Sequence, residues 1–172
     1  MGHHPAKPTA KERALKLYFM RHGKAVDASL MENDFDRPLT DKGAKRVRRI
    51  AHVLMSMGVR PEVIYASPRV RAQQTALIVA EALGCKVTTR DEVNFEFQAE
   101  HVERMIHGFG NDAELMFVGH NPSMSDVVRR VTGANVNMEV GAVACASVTP
   151  YNIYDGELAW YITWHCVKAI ED

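Results

Sequence analysis

Leu15-Lys-Leu-Tyr-Phe-Met-Arg-His-Gly23 decides how the rest of the chain is read. Leu15, Leu17 and Phe19 alternate with Lys16, Tyr18 and Met20, the period-2 pattern of a β-strand. The strand stops at Arg21-His22-Gly23, so an imidazole stands at a strand end beside a guanidinium and a glycine. Gly23 lets the backbone turn sharply there, and a backbone carbonyl could hold one ring nitrogen protonated so that the other attacks.

Two later stretches repeat this arrangement. Val63-Ile-Tyr-Ala66 reads as a buried strand, and Ser67-Pro68 follows as an N-cap with proline in the first helical position. Arg71 then falls in the first turn, where its guanidinium can share an anion with the helix N-terminus. Leu115-Met-Phe-Val118 is an unbroken apolar run, as expected of a central strand covered on both faces. It ends in Gly119-His120, and Asn121-Pro122 again pairs a cap with a proline ahead of a helix through Met124, Val127, Val128 and Val131.

Between these landmarks, Gly23 to Leu39 is loop-like and Thr40 caps a helix from Asp41 that buries Ala44, Val47, Ile50, Ala51 and Leu54 and closes at Gly58. The helix after Ser67 runs to Gly84. A short strand around Val87 and a helix from Val102 to Phe109 come next. Ala142–Val148 and Leu158–Thr163 read as two final strands with Asp155-Gly156 in the turn between them. This alternation predicts an α/β fold: a three-layer α/β/α sandwich, its central sheet mostly parallel, with helices on both faces. Residues 1–14 read as a loose arm and residues 15–172 as one domain.

Composition narrows the function. Across 172 residues, Lys plus Arg and Asp plus Glu both total 21, so no overall field would hold the protein on nucleic acid or an anionic membrane. Any attraction for anions must be local. Cys85, Cys145 and Cys166 form an odd set without a Cys-x-x-Cys spacing, which argues against a disulfide framework or zinc site and fits a reducing cytoplasm. The opening residues lack the apolar core of a signal peptide, and neither export nor a membrane span is expected. His3-His4, His52, His101 and His107 show no ligand spacing, so no metal is expected. Gly108-Phe-Gly110 copies part of a dinucleotide fingerprint but follows a helix, so it carries no nucleotide site. Lys45-Arg-Val-Arg-Arg49 lies on an amphipathic helix and reads as a solvated face.

Open α/β sheets place ligand sites at the carboxyl ends of their strands. Here those ends deliver cations and imidazoles, a set suited to a dianionic phosphate, because each guanidinium can donate two parallel hydrogen bonds to phosphoryl oxygens. A neutral imidazole is an available nucleophile at neutral pH. His22 is the candidate nucleophile, with Arg21 and Arg71 as phosphate ligands and His120 as a donor to the transferring group.

Leu17-Tyr-Phe-Met-Arg-His-Gly-Lys-Ala25, Arg37-Pro-Leu-Thr40 with Gly43, Ser67-Pro-Arg-Val-Arg-Ala-Gln-Gln-Thr75 and Val118-Gly-His-Asn-Pro122 together resemble the histidine phosphatase superfamily. Within it the chain is most similar to the small SixA-type phosphohistidine phosphatases. The likeness runs in order from about Leu15 to Val148. It implies a phosphoglycerate mutase-like fold, a cofactor-independent hydrolase, transient phosphorylation of His22, and Arg21, Arg71 and His120 around the phosphoryl group, with Arg37 completing the pocket. Members of the superfamily also use a carboxylic acid from the segment after the second helix; Glu92 is the nearest match and Glu96 the next. The small subgroup often lacks that acid, so the proton donor stays open.

The expected substrate is phosphohistidine on a partner protein, because the loops between core elements are short and protonated imidazole leaves without help from an acid. A small phosphoester is the alternative within the fold. A mutase is disfavoured because the chain offers no lid. A phosphate- or partner-binding module without turnover is the alternative of another class.

Overall fold

The computed structural model describes residues 15–171, so the arm expected over residues 1–14 lies outside the described residues. Among the described residues, five α-helices and six strands follow in the order β1 (Leu15–Arg21), α1 (Asp41–Ser56), β2 (Val63–Ala66), α2 (Val70–Leu83), β3 (Lys86–Thr89), α3 (Ala99–Met105), β4 (Glu114–Gly119), α4 (Ser123–Thr132), β5 (Val143–Thr149), β6 (Asn152–Ile162) and α5 (Trp164–Glu171). The six strands form one sheet in the order β3-β2-β4-β1-β5-β6. The first four in that order run parallel, and β5 and β6 are antiparallel additions beside β1. The expected α/β/α sandwich with a mostly parallel sheet is the architecture observed.

The alternation in β1 sorts its side chains between two cores. Leu15, Leu17 and Phe19 join Leu115 and Phe117 beneath α3 and α4, while Tyr18 and Met20 join Met116 and Val118 beneath α1 and α2. In α4, Met124, Val127, Val128 and Val131 are fully or almost fully buried. At roughly 1.5–3 kcal/mol for each large side chain, that face alone holds α4 on the sheet. Pairing of Arg21 with Gly119 and of Ala66 with Val118 sets the carboxyl ends of β1, β4 and β2 level. Three neighbouring strands therefore end at one edge.

Several boundaries differ from the sequence reading. Ser67 does not cap α2; the helix starts at Val70, and Arg69 stands at the cap position without a side-chain bond to the helix start. Pro122, expected inside α4, itself occupies the cap position, and α3 stops at Met105. Asp155-Gly156 lies within β6, because the chain turns earlier, at Pro150-Tyr151 between the paired Thr149 and Asn152. Gly156 is there for space: a Cβ on it would sit 2.8 Å from the carbonyl oxygen of Val131 in α4. Helix α5 had no sequence signal, since Val167 is its one buried side chain among those described. It also covers part of the basic run, as Arg46 and Arg49 each lie 5.0 Å over the Trp164 ring while Lys45 and Arg48 stay exposed.

Helix α1 meets the loop after β1 closely. The Thr40 hydroxyl caps α1 by accepting from the Gly43 amide at 2.9 Å, and a Cβ on Gly43 would stand 2.1 Å from the Lys24 carbonyl oxygen. Backbone cannot yield there as a flexible side chain would. Gly43→Ala should therefore lower unfolding free energy by about 1–3 kcal/mol, even though alanine gains about 1 kcal/mol in helix propensity. Urea denaturation measures the difference, and a stabilised variant would contradict the close approach.

Candidate active site

The three level strand ends bring together the residues singled out in the sequence. The His22 amide donates to the Gly119 carbonyl at 3.0 Å and the Ser67 amide to the Val118 carbonyl at 3.0 Å, so the backbone ladder continues one residue past each strand. Arg21, His22, Arg37, Arg71 and His120 all line one cavity of about 360 Å³, with Lys24, Ala25, Asp34, Phe95, Asn121 and Val140 completing its wall.

His22 is 7% exposed and its Nδ1 lies 2.7 Å from the carbonyl oxygen of Gly23. A carbonyl only accepts, so Nδ1 carries the proton and Nε2 is bare. Arg71 Nε donates to that Nε2 at 3.3 Å. Burial lowers the His22 pKa to about 4; the Gly23 hydrogen bond opposes the shift, and Arg71, Arg21 and Arg37 add to it. The ring is thus neutral at physiological pH, with a lone pair facing the cavity cations.

Gly23 serves this geometry differently from the turn expected of it. It is absent from the glycines with positive φ; a Cβ on it would instead sit 2.6 Å from Val47 Cγ2. Its amide donates to the Thr75 hydroxyl at 3.0 Å, and that hydroxyl donates to the Arg71 carbonyl at 2.7 Å. Thr75, buried in α2, therefore ties the turn after His22 to the helix that carries Arg71.

His120 packs 5.2 Å from His22, centroid to centroid, and its Nε2 lies 2.8 Å from Ser67 Oγ. That oxygen also accepts from the Arg69 amide at 3.3 Å. When the Ser67 hydroxyl donates to Nε2, the His120 proton sits on Nδ1. This explains why Ser67 does not cap α2. Burial lowers the His120 pKa to about 3, with His22, Arg71 and Arg69 adding to the effect against Asp34. Among the described residues, His120 Nδ1 and Arg21 Nε are buried side-chain atoms with no hydrogen-bond partner. Arg21 Nη1 is held by the Met138 carbonyl at 3.0 Å.

Asp34 is the residue the sequence reading missed. Its Oδ1 accepts from Arg37 Nε at 2.9 Å; its Oδ2 accepts from Arg69 Nη1 at 2.8 Å and Arg71 Nη2 at 3.2 Å. Its backbone oxygen takes Arg71 Nη1 at 2.9 Å. Burial works to raise its pKa, and Arg71, Arg37 and Arg69 outweigh that, leaving the carboxyl below its ordinary range and ionised. Asp34 shares its stretch with Asp27, Glu32 and Asp36, and only the path of the loop distinguishes it. That loop, residues 22–40, is the long connection expected over Gly23 to Leu39, and it departs from the general expectation of short loops between core elements.

Glu92 and Glu96 are exposed and border a neighbouring cleft with Phe95 rather than the His22 cavity. The turn at Asp91–Val93 buries Val93 and leaves Glu92 outside. Among the described residues no group of His, Cys, Asp and Glu could hold a metal ion, and no helix is long and apolar enough to cross a membrane.

A model of the histidine phosphatase superfamily, branch 1, matches residues 17–140. The chain belongs to this superfamily. A relative in a Picosynechococcus species, itself uncharacterized, is 32% identical over 142 residues, covering 75% of this chain and 82% of that protein. Among solved structures, the protein histidine phosphatase SixA complexed with tungstate superposes with a TM-score of 0.79 at 23% identity, over 88% of this chain and 99% of that one. A mycobacterial glucosyl-3-phosphoglycerate phosphatase matches with a TM-score of 0.66 at 15% identity, over 84% and 96%. At these identities the two structures share the fold.

The buried neutral histidines carry a stability consequence. Unfolded imidazoles titrate near 6.5, whereas His22 and His120 remain neutral in the folded chain down to about 4 and about 3. Between those limits the unfolded state binds more protons, so stability falls as pH drops below about 6.5, and these groups contribute no slope above it. Denaturant titrations at about pH 7 and about pH 5 should show this loss in the wild type and a smaller loss in His120→Gln. Equal losses would mean that His120 is not held neutral.

Proposed function

We propose that the protein is a phosphohydrolase that takes the phosphoryl group from phosphohistidine on a partner protein through a phospho-His22 intermediate. One observation carries the reading: His22 offers a bare Nε2, its proton held on Nδ1 by Gly23, 3.3 Å from Arg71 Nε in a cavity whose other cations are Arg21, Arg37 and Lys24. Such a cavity neutralises a phosphoryl dianion without a metal, and tungstate, bound by the SixA structure of the same fold, is an oxyanion of the same kind.

In this reading the Nε2 lone pair of His22 attacks phosphorus as the bond from phosphorus to the substrate nitrogen breaks. The electron pair of that bond stays on the substrate ring, which leaves as neutral imidazole when its other nitrogen already carries a proton. The Arg71 side chain and the unpartnered donors of Arg21 and His120 take the phosphoryl oxygens, with Arg37 at the pocket wall. Phospho-His22, keeping Nδ1–H on Gly23, is then an imidazolium. Water attacks phosphorus, the electron pair returns to Nε2, and phosphate departs with the surplus proton passing to solvent.

Two features favour phosphohistidine over an alkyl phosphate. An alkoxide leaving group needs a proton, and Asp34, the carboxylate lining the cavity, is held ionised by three guanidiniums and has none to give at neutral pH. The rim residues Lys24, Asp34 and Phe95 are exposed, so a side chain projecting from a folded partner can reach the cavity. The unpaired Cys85, Cys145 and Cys166 suit a cytoplasmic setting for such a partner.

Incubation with a phosphohistidine-bearing protein labelled on phosphorus should leave acid-labile label on the wild type and none on His22→Ala, with phosphate release abolished in the variant. Full turnover by His22→Ala would remove His22 from the mechanism. Turnover of p-nitrophenyl phosphate alone would turn the assignment to small phosphoesters. Arg71→Ala should lower kcat/KM roughly 100-fold, the loss expected of about 3 kcal/mol from a preorganised donor.

A further inference from the structure

The cavity presents an apparent contradiction: it is built for an anion yet includes a carboxylate. Of its charged lining residues, Arg21, Lys24, Arg37 and Arg71 are cationic and Asp34 alone is anionic. If Asp34 served only to hold arginines, its acceptor sites would be filled by them. An ionised carboxylate has about four such sites. Oδ2 takes two guanidinium bonds and Oδ1 takes one, from Arg37 Nε, while the side chain is 44% exposed. One acceptor site on Oδ1 therefore carries no guanidinium.

The division of donors on Arg71 matters equally. Its two terminal nitrogens both bind Asp34, through the backbone oxygen and Oδ2, while Nε points to His22 Nε2. A phosphoryl group at Nε2 can be met by Arg71 without dislodging Asp34. The carboxylate can therefore stay in the cavity wall while substrate is present.

Phe95 lines the same cavity and is 46% exposed. The Arg69 guanidinium lies 3.9 Å over its ring, and the ring stands edge-on to His120 at 4.8 Å. Asp34 and Arg69 are joined by the 2.8 Å ion pair, so the carboxylate and the phenyl ring are held together by one guanidinium. A half-exposed aromatic ring beside a carboxylate with a spare acceptor site suits a flat, cationic ring bearing an N–H.

We propose that Asp34 and Phe95 form a leaving-group subsite selective for the protonated imidazole ring of phosphohistidine, the phenyl ring packing on it and Asp34 Oδ1 accepting its N–H. This rests on the phosphohistidine reading above. The subsite retains the ring's proton at the nitrogen remote from phosphorus, which lets the ring depart neutral once the phosphorus–nitrogen bond breaks. An uncharged phenol or alcohol has no proton-bearing nitrogen to offer Oδ1, and a carboxylate-bearing leaving group is repelled.

The test is the ratio of kcat/KM for phosphohistidine to kcat/KM for p-nitrophenyl phosphate, measured in the wild type, Asp34→Asn and Phe95→Leu. Asparagine keeps the size and an acceptor oxygen but removes the charge; leucine keeps an apolar contact for Arg69 and removes the flat face. The ratio should fall at least tenfold in Asp34→Asn and several-fold in Phe95→Leu. A ratio unchanged in both, whether the two rates fall together or not at all, would overturn the subsite and reduce Asp34 to a residue that positions arginines. A wild type that releases no phosphate from phosphohistidine would overturn the substrate reading first, and the subsite with it.

Discussion

The 2.7 Å hydrogen bond between His22 Nδ1 and the Gly23 carbonyl decides which ring nitrogen faces the cavity, and much of the surrounding fold serves to place those two residues. The carbonyl can reach the ring because α1 presses Val47 against Gly23, at a separation that excludes a Cβ. The Gly23 amide on the other side is fixed by Thr75 of α2, which also holds the backbone of Arg71. A strand end, two helices and one buried hydroxyl thus control a single tautomer. Packing on this face of the sheet is in that sense part of the chemistry.

Electrostatics follow from the same crowding. Burial and the surrounding guanidiniums keep His22 and His120 uncharged, so the cations of the cavity come from side chains that cannot lose their protons at physiological pH. An imidazolium in either place would add repulsion among like charges and remove the lone pair from His22. Asp34 moderates that repulsion from the rim by binding Arg37, Arg69 and Arg71 together. It thereby places one carboxylate in the wall of an otherwise cationic cavity.

The parts of this arrangement governed by local periodicity were legible in the sequence. Hydrophobic alternation and apolar runs locate β1, β2 and β4, and the rule that ligand sites lie at strand carboxyl ends groups Arg21, His22, Arg71 and His120 from the sequence alone. Ser67 misled because Ser-Pro is a good helix start locally, whereas its hydroxyl is claimed by a histidine 53 positions away. Gly156 misled for a similar reason: Asp-Gly favours a turn, but the position lies under Val131, where only glycine fits. Asp34 was illegible because its local sequence does not separate it from Asp27 or Asp36; Arg69 and Arg71, 35 and 37 positions away, join the nearby Arg37 in selecting it. Helix α5, with a single described buried contact, left almost no pattern to find.

The central claim is that His22 enters the reaction neutral, with its proton on Nδ1 and Nε2 bare. Nitrogen-15 NMR of the histidine side chains, assigned by comparison with His22→Asn and followed from about pH 8 to about pH 4, reads both the tautomer and the titration. The account predicts a His22 ring protonated at Nδ1 alone, unchanged through neutrality and titrating only near 4. A proton on Nε2, or an imidazolium forming near 6.5 as in an ordinary exposed histidine, would contradict it.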